Sequence, residues 1–430
     1  MQNKSRNIIF NIDWFVIFLY ILIAGFGVLS INAVDHAHAL KQIIWVSTSI
    51  PIIIITCSLN QSFYERFSGL FYLICILLLA GLFVFGETIN GATAWYSFFG
   101  FFSIQPTEFS KIGVALIISN FLATPKLEMN KPSTLFIALG YLVVPLILIK
   151  LQPDDGSVLV FSAFFIGLLV YRVWMVKQLF LIGITFLILF ILGIAYSDLI
   201  QYFYNNFYIL IIGISCITLI IFIIFRFVFY INKPTIYLMA VMGILFCIGT
   251  IFASEAIFSN LKPHQKDRIE ILFLDDTNKK IRNEKNGYNL YTAKSAIASG
   301  ELYGKGYLKG DMPKGNIVPE QETDYIFTVI GEEWGFMGSS VFIMIYGIFL
   351  LRLFWLAHRQ RTIFSSYFGY SVAGIFTVHF IINIAMVMGI FPTIGIPLPF
   401  LSYGGSSLWG FTLMLFIMIR LDAERMQVLR

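Results

Sequence analysis

Apolar stretches recur from residue 14 to residue 421, most of them about 20 residues long, enough to cross a hydrocarbon layer as a helix. Backbone in lipid must satisfy its own N–H and C=O groups, so only helices and closed barrels span a membrane. Runs of this length select the helix. The composition agrees, since 58% of the 430 residues are apolar and 12% charged, against roughly 25% charged in soluble domains. The candidate spans are 14–33, 41–59, 67–86, 109–123, 135–151, 157–172, 178–197, 207–230, 236–256, 334–356, 366–388 and 405–421, twelve in all. The expected fold is an all-α polytopic membrane protein, a single integral domain over 1–430. It would comprise nine spans within 1–256, a large polar loop over 257–323, and three spans within 324–430, with a re-entrant piece at 389–404.

Basic residues in short loops are retained in the cytoplasm, whereas long loops are exempt from that rule. With the N-terminus inside, Lys4, Arg6, Arg66, Lys126, Lys131, Arg172, Lys177, Arg226, Lys233, Arg352, Arg359, Arg361, Arg420, Arg425 and Arg430 fall in or beside cytoplasmic segments. The outer loops 87–107, 198–206 and 389–404 contain no Lys or Arg. Both termini are expected in the cytoplasm and the 67-residue loop, with its eleven basic residues, outside. The A-H-A at 37–39 looks like a signal-peptidase site, but a run of about 20 residues exceeds the 7–15 of a signal core. Cys57, Cys75, Cys216 and Cys247 all lie in apolar runs and read as small buried hydrophobes, not a disulfide framework.

Other chemistries find little support. His36, His38, His264, His358 and His379 lack metal-ligand spacing, and S-G-E-L-Y-G-K-G at 299–306 lacks the Ser or Thr and the strand context of a phosphate loop. A net charge of +5 is ordinary for a positive-inside membrane chain, so no nucleic-acid partner is expected.

Four stretches break the membrane pattern. W-Y-S-F-F-G-F-F-S-I-Q-P-T-E-F-S-K at 95–111 puts Glu108 and Lys111 on one face of a helix starting after Pro106. They read either as a neutralised pair that lets the helix enter the membrane or as members of a polar cavity. K-L-Q-P-D-D-G-S at 150–157 is a tight outer turn where Lys150 and Asp154 can meet and an Asp can cap the next helix. The long loop carries H-Q-K-D-R-I at 264–269, G-Y-N at 287–289 and A-K-S-A-I-A-S-G-E-L-Y-G-K-G at 293–306. Its Gly300, Gly304 and Gly306 permit close backbone approach or positive φ, and its Arg268, Lys294 and Lys305 read as anion neutralisers or as an ordinary solvated face. G-I-F-P-T-I-G-I-P-L-P-F-L-S-Y-G-G-S-S at 389–407, with three prolines and four glycines, cannot be a continuous helix. Non-helical backbone at membrane depth survives only against protein or a wet cavity.

The long loop closes with P-E-Q-E-T-D-Y-I-F at 319–327, which sets carboxylates where the chain returns toward lipid, and such charge is costly unless it is used. From spacing alone, Thr323 would be an N-cap and Asp324 a first-turn acid stabilising the helix dipole.

Together these stretches resemble the SEDS family (shape, elongation, division and sporulation), whose members polymerise peptidoglycan. The match runs through P-L-P-F-L-S-Y-G-G-S-S at 397–407, L-Y-G-K-G with P-E-Q-E-T-D-Y-I-F, Q-P-D-D-G-S and Q-P-T-E-F-S-K, in the family's order. The resemblance implies a ten-helix core, so about two of the twelve runs, within 178–230, would be an insertion. Ala94 stands where many members carry Arg, and Ala293 and Ala298 where Ser and Gly are usual.

The implied substrate is lipid II, a disaccharide-peptide on a polyprenyl pyrophosphate, in a bacterial cytoplasmic membrane. A sugar hydroxyl needs a carboxylate to take its proton, and the resemblance gives that catalytic role to Asp324. Arg268, Lys294, Lys305 and Lys111, or a divalent cation (magnesium or manganese), would neutralise the leaving pyrophosphate. Trp95, Gln105, Glu108, Lys150, Asp154, Glu320, Thr323, Ser402, Tyr403, Gly404 and Gly405 would shape the substrate site. No soluble cofactor is implied, and the implied partner is a class B penicillin-binding transpeptidase. Short termini favour the elongation type over the division type. The competing readings are a transporter that flips the lipid-linked precursor and a scaffold that recruits a partner.

Overall fold

A helix that begins inside or beside a membrane leaves its first N–H groups without partners, and this chain supplies a capping side chain at one start after another. Asp13 accepts from the Val16 N–H (3.2 Å), Asp35 from Ala37 (2.8 Å) and Asn60 from Phe63 (3.0 Å). These caps open α1 (Trp14–Val34), α2 (His36–Ser58) and α3 (Gln61–Phe85). The computed structural model describes residues 11–89, 92–98, 102–127, 132–165, 267–268, 271–273, 285–311 and 320–425. The expected spans at 178–197, 207–230 and 236–256, and the insertion expected at 178–230, lie outside the described residues. Contacts divide the chain into two compact units, 1–171 with 288–430, and 172–287. In the second, the described residues comprise Asp267, Arg268, a 3-10 turn at Ile271–Phe273 and the first residues of a helix that continues to Ser299.

The first unit continues with α4 (Pro106–Leu122), which has Pro at its first position, where its missing N–H costs nothing. Then come α5 (Pro132–Leu151), the short α6 (Asp155–Val160), α7 (Lys285–Ser299), α8 (Ile326–His358), α9 (Ile363–Val387) and α10 (Gly405–Glu424). Among the described residues, α1, α2, α3, α8, α9 and α10 are long and apolar enough to cross a membrane. Burial sorts them, because 83% of the apolar window of α10 is enclosed by protein against 17% for α2. So α10, with α9 and α4, forms the centre, and α2 and α3 turn Ile43, Ile54, Leu70 and Leu77 outward to the lipid. The aromatic core at the centre brings Phe376, Phe400 and Phe411 together, with Phe376 and Phe400 5.3 Å apart.

Within 87–107, expected as an outer loop, the chain forms a small antiparallel sheet of β1 (Glu87–Ile89), β2 (Ala92–Phe98) and β3 (Phe102–Ile104), in that order. Its pairing sets Glu87 opposite Trp95 and Tyr96 opposite Ile104. The segment A-T-A-W-Y-S-F is rich in β-forming Thr, Trp, Tyr and Phe. It is pinned to the helices, since Tyr96 Oη donates to the Leu78 carbonyl (2.7 Å) and the Thr93 N–H to the Gln152 carbonyl (3.2 Å).

Helix α8 is broken at Gly335, whose φ of 63° and ψ of −163° are open only to glycine. The glycine-rich loop 300–306 fills the break. The Glu332 and Glu333 carbonyls, which the break frees from their helical partners, accept the Lys305 and Gly306 N–H groups (3.0 and 2.9 Å). In return, the Glu301 and Leu302 carbonyls accept from Phe336 and Met337 (2.9 and 3.0 Å). A Cβ at Gly300 or Gly304 would overlap this backbone, and Gly304 (φ 80°) and Gly306 (φ 98°) are left-handed. The loop glycines therefore serve backbone docking. Residues Ile326–Glu333 are buried in protein, and large side chains turn to the lipid only from Trp334 onward. Large exposed apolar side chains thus begin about ten residues past Asp324 on this helix.

The far end of the bundle is tied by charge. Asp13 pairs with Arg352 (2.7 Å) and Arg359 (3.2 Å), Asp422 pairs with Arg359 and Arg425, and Arg420 pairs with Glu424 (2.6 Å). The 33 residues of α8, at 1.5 Å each, set this cluster roughly 50 Å along the helix path from Asp324.

The break in α8 yields a stability prediction. Gly304→Ala forces both a strained φ and a collision with the Glu333 carbonyl, and should lower stability by about 1–3 kcal/mol. Thermal unfolding in detergent measures it; an unchanged melting temperature would mean that the loop does not dock in the break.

Candidate active site

The segment from Met388 to Gly404, between α9 and α10, is irregular backbone, and its polar groups are met one by one by side chains and loops. Asn383 on α9 donates to the Ile396 carbonyl (2.7 Å), and His379, one turn earlier, to the Pro397 carbonyl (2.9 Å). Ser402 Oγ accepts the Leu398 N–H (2.8 Å) and donates to the Thr323 carbonyl (2.6 Å). The Tyr403 N–H bonds the Glu322 carbonyl (2.8 Å), while Gln42 of α2 bridges Ser402 O and Gly404 N. Gly405 packs directly on the Trp45 ring, and Tyr403 stacks on His38 at 4.6 Å. Ser402, Tyr403, Gly404 and Gly405 thus join the irregular segment to the 320–324 turn and to α2.

In that turn, the Glu320 carbonyl accepts the N–H groups of Thr323, Asp324 and Tyr325 (3.2, 3.1 and 3.3 Å), with Glu320 itself left-handed at φ 55°. Thr323 spends its hydroxyl on the Glu320 carbonyl (3.2 Å), and the N-cap of α8 is Tyr325. Asp324 therefore lies ahead of the helix and is not a first-turn acid. Its main-chain carbonyl accepts from Asn383 (2.9 Å). Its half-buried carboxylate lies against Gly395 so closely that a Cβ there would sit 2.9 Å from Oδ2. Gly395 is left-handed at φ 75°. Its carbonyl is also approached from the other side by Gly156, whose Cβ would be 3.2 Å away.

Gly156 belongs to the 150–157 turn, so the Asp154 turn and the Asp324 turn flank one strip of backbone. Asp154 caps α6 through the Ser157 N–H (3.0 Å), and its second oxygen accepts from Ser157 Oγ (2.7 Å) and Gln105 (3.0 Å). Lys150 meets Asp155 at 2.5 Å rather than Asp154, because it lies in the last turn of α5, out toward solvent.

Below the strip is a buried charged chain. Lys111 bonds both oxygens of Glu108 (2.8 and 2.9 Å) and His379 Nε2 (3.1 Å), with Phe411 under the ammonium at 4.9 Å. All three residues are at most 2% exposed. Because the Pro397 carbonyl can only accept, His379 Nδ1 carries the proton and Nε2 accepts from Lys111. The ammonium's three N–H bonds are all committed to protein, so Lys111 is part of the frame and does not reach out to a ligand.

The cations of the long loop separate. Lys305 is locked to Glu332 (2.7 Å) and Asp311 (2.9 Å), and these hydrogen bonds, Glu332's first, keep its pKa above the ordinary lysine value. It neutralises a buried carboxylate of α8 instead of an external anion. Lys294 is exposed on α7, with its chain end against Gly389, where the irregular segment begins. Trp95 is half-buried on β2, opposite Glu87. Arg268 lies in the second unit.

His379 and Asn383 were not evident from sequence motifs, yet one signal was present. They are polar residues four apart, hence on one face, in the apolar run I-F-T-V-H-F-I-I-N-I-A.

Comparisons with known proteins converge. The peptidoglycan glycosyltransferase RodA of Treponema pallidum is 29% identical over 429 residues, covering 93% of this chain and 94% of that one. The peptidoglycan glycosyltransferase MrdB of Escherichia coli K12 is 27% identical, covering 86% and 81%. A chain from a peptidoglycan synthase complex has the same fold, with a TM-score of 0.67 at 23% identity over 97% of this chain and 99% of that one. So does the rod shape determining protein RodA of Thermus thermophilus, at 0.60 and 19% over 96% and 97%. The family model for the FtsW, RodA and SpoVE cell cycle proteins matches residues 7–208 and 199–427, so this chain belongs to that family.

Proposed function

We propose that this chain is a peptidoglycan glycosyltransferase that polymerises lipid II, with Asp324 as the general base. The observation that carries the reading is the Asp324 carboxylate, half-buried and held against the Gly395 backbone at the end of the bundle opposite the basic cluster. In the reaction, the 4-hydroxyl of the incoming sugar attacks the anomeric carbon of the growing chain. The bond from that carbon to the lipid pyrophosphate breaks, the hydroxyl proton passes to Asp324, and the electron pair leaves with the pyrophosphate. A carboxylate in hydrogen-bond reach makes the hydroxyl a competent nucleophile.

Lys294, exposed at the start of the irregular segment, is the cation best placed to steady the leaving group. Among the described residues no three His, Cys, Asp or Glu cluster as a metal cage. A magnesium or manganese ion at the pyrophosphate would therefore draw most of its ligands from phosphate and water. For the polyprenyl tail there is an apolar groove of about 480 Å³ between α3 and α5, flanked by Tyr72 and Tyr141. It lies about 16 Å along α5 from the Asp154 turn.

Relatives of this chain carry both elongation and division names, including a probable peptidoglycan glycosyltransferase FtsW of Wigglesworthia glossinidia brevipalpis at 28% identity. The reading adopted is elongation and shape maintenance, in a bacterial cytoplasmic membrane. The arginines at the far end of α8 and α10 fit a cytoplasmic face, which turns Asp324 outward and keeps both termini inside. A class B penicillin-binding transpeptidase, which would cross-link the product, is the proposed partner.

The transporter reading draws on Glu108 and Lys111, but their charges are paired and sealed by protein. Purified protein with lipid II in detergent, where no compartments exist, separates the two readings, since polymer requires an enzyme. Asp324→Asn should abolish polymer while leaving the melting temperature within a few degrees of wild type; retained turnover would refute the base. Lys294→Gln should reduce polymerisation by at least about tenfold, measured on the same substrate. Lys111→Met leaves Glu108 as an uncompensated buried charge and should cost about 3–5 kcal/mol. Glu108→Gln combined with Lys111→Met should recover much of that loss in detergent melting.

A further inference from the structure

We propose that Asn383 is a positioning residue of the transferase reaction, holding the Asp324 carboxylate in its place against the Gly395 backbone, where it deprotonates the acceptor hydroxyl. This rests on the reading of Asp324 as the base. The side chain is fully buried on α9 and uses its amide nitrogen twice, on the carbonyl of Asp324 (2.9 Å) and on that of Ile396 (2.7 Å). One rigid planar group therefore ties the residue that bears the carboxylate to the residue following Gly395, the backbone that carboxylate faces. Ser402 Oγ joins the same two segments a residue or two away, at Thr323 and Leu398, but Asn383 is bonded to the carbonyl of Asp324 itself.

Two further observations separate positioning from simple core filling. The Asn383 Oδ1 is buried and finds no hydrogen-bond partner among the described residues. A buried acceptor left unpaired weakens the fold, so the two N–H bonds must offset the cost of burying that oxygen. Second, Gly395 has no Cβ and a φ of 75°, which lets Asp324 Oδ2 lie directly against the strip. His379 holds the adjacent Pro397 carbonyl (2.9 Å) from the same face of α9, so the strip cannot rotate away from Asp324 while both bonds persist. A proton-abstracting carboxylate displaced by about an ångström loses turnover by about a hundredfold, with ground-state binding little changed.

The test uses the full-length chain in detergent with lipid II, measuring kcat and KM by glycan-strand formation and folding by thermal melting. Asn383→Leu removes both donors at similar volume, and Asn383→Asp leaves at most one, the O–H of its neutral form. Each should lower kcat by tenfold or more with KM within about threefold of wild type. Wild-type kcat, or a loss confined to KM, in a folded Asn383 variant overturns the proposal. Where neither variant reaches the folded state, Gly395→Ala decides. It leaves Asn383 in place and puts a methyl 2.9 Å from Asp324 Oδ2, so it should show the same kcat loss, and undiminished kcat overturns the proposal. Asp324→Asn, run in parallel, distinguishes the two failures. If that variant still polymerises, the base assignment falls; if it is inactive while the Asn383 variants turn over normally, the positioning role alone falls.

Discussion

Irregular backbone inside a membrane protein must find a partner for every buried N–H and C=O, and the 388–404 segment is where this chain meets that demand. Its carbonyls are taken by Asn383, His379 and Gln42, and its hydroxyl Ser402 and N–H Tyr403 reach across to the 322–323 backbone. Helices α2, α8, α9 and α10 are thereby fastened to one strip of chain. Asp324 occupies its place because the turn that carries it is sewn to that strip.

The same demand explains the break in α8. Opening a helix at Gly335 exposes carbonyls that would otherwise be orphaned, and loop 300–306 satisfies them with its own N–H groups. Lys305 then balances the buried Glu332 carboxylate. The loop and the first part of α8 are thus a single hydrogen-bonded unit, ending at the Asp324 turn. Charge inside the bundle follows a parallel rule, since Glu108, Lys111 and His379 form a closed chain in which every ammonium proton has an acceptor. These residues set the frame below the strip.

Much of the architecture was legible in the chain. Apolar run length announces helices, because lipid forbids unpaired backbone, but α2 and α3 begin five and six residues ahead of the runs expected at 41 and 67, where Asp35 and Asn60 cap them. The three prolines and four glycines of 389–407 foretold non-helical backbone, and the glycines at 300, 304 and 306 allowed close approach or positive φ, the first realised at Gly300 and Gly304 and the second at Gly304 and Gly306. Less legible was the sheet at 87–104, whose short strands lack a clean alternation of apolar and polar residues. Nor could Asn383 and His379 be read as fasteners, since an isolated polar residue in an apolar run does not say which backbone it will meet.

Local rules thus determined the helices, their caps, the basic face and the carboxylates that gather near residue 324, because each depends on neighbours within a few positions. Only the tertiary structure decided which cations stay internal. Spacing already set Lys111 beside Glu108 but left open whether it also faced a cavity, and it offered Asp154 to Lys150 and an external anion to Lys305; packing sealed Lys111 with Glu108 and gave Lys150 to Asp155 and Lys305 to Glu332. Tertiary structure also set Asp324 against Gly395, 71 positions away in the chain. Contacts at that separation depend on how helices pack, and helix packing is a property of surfaces that no local pattern encodes.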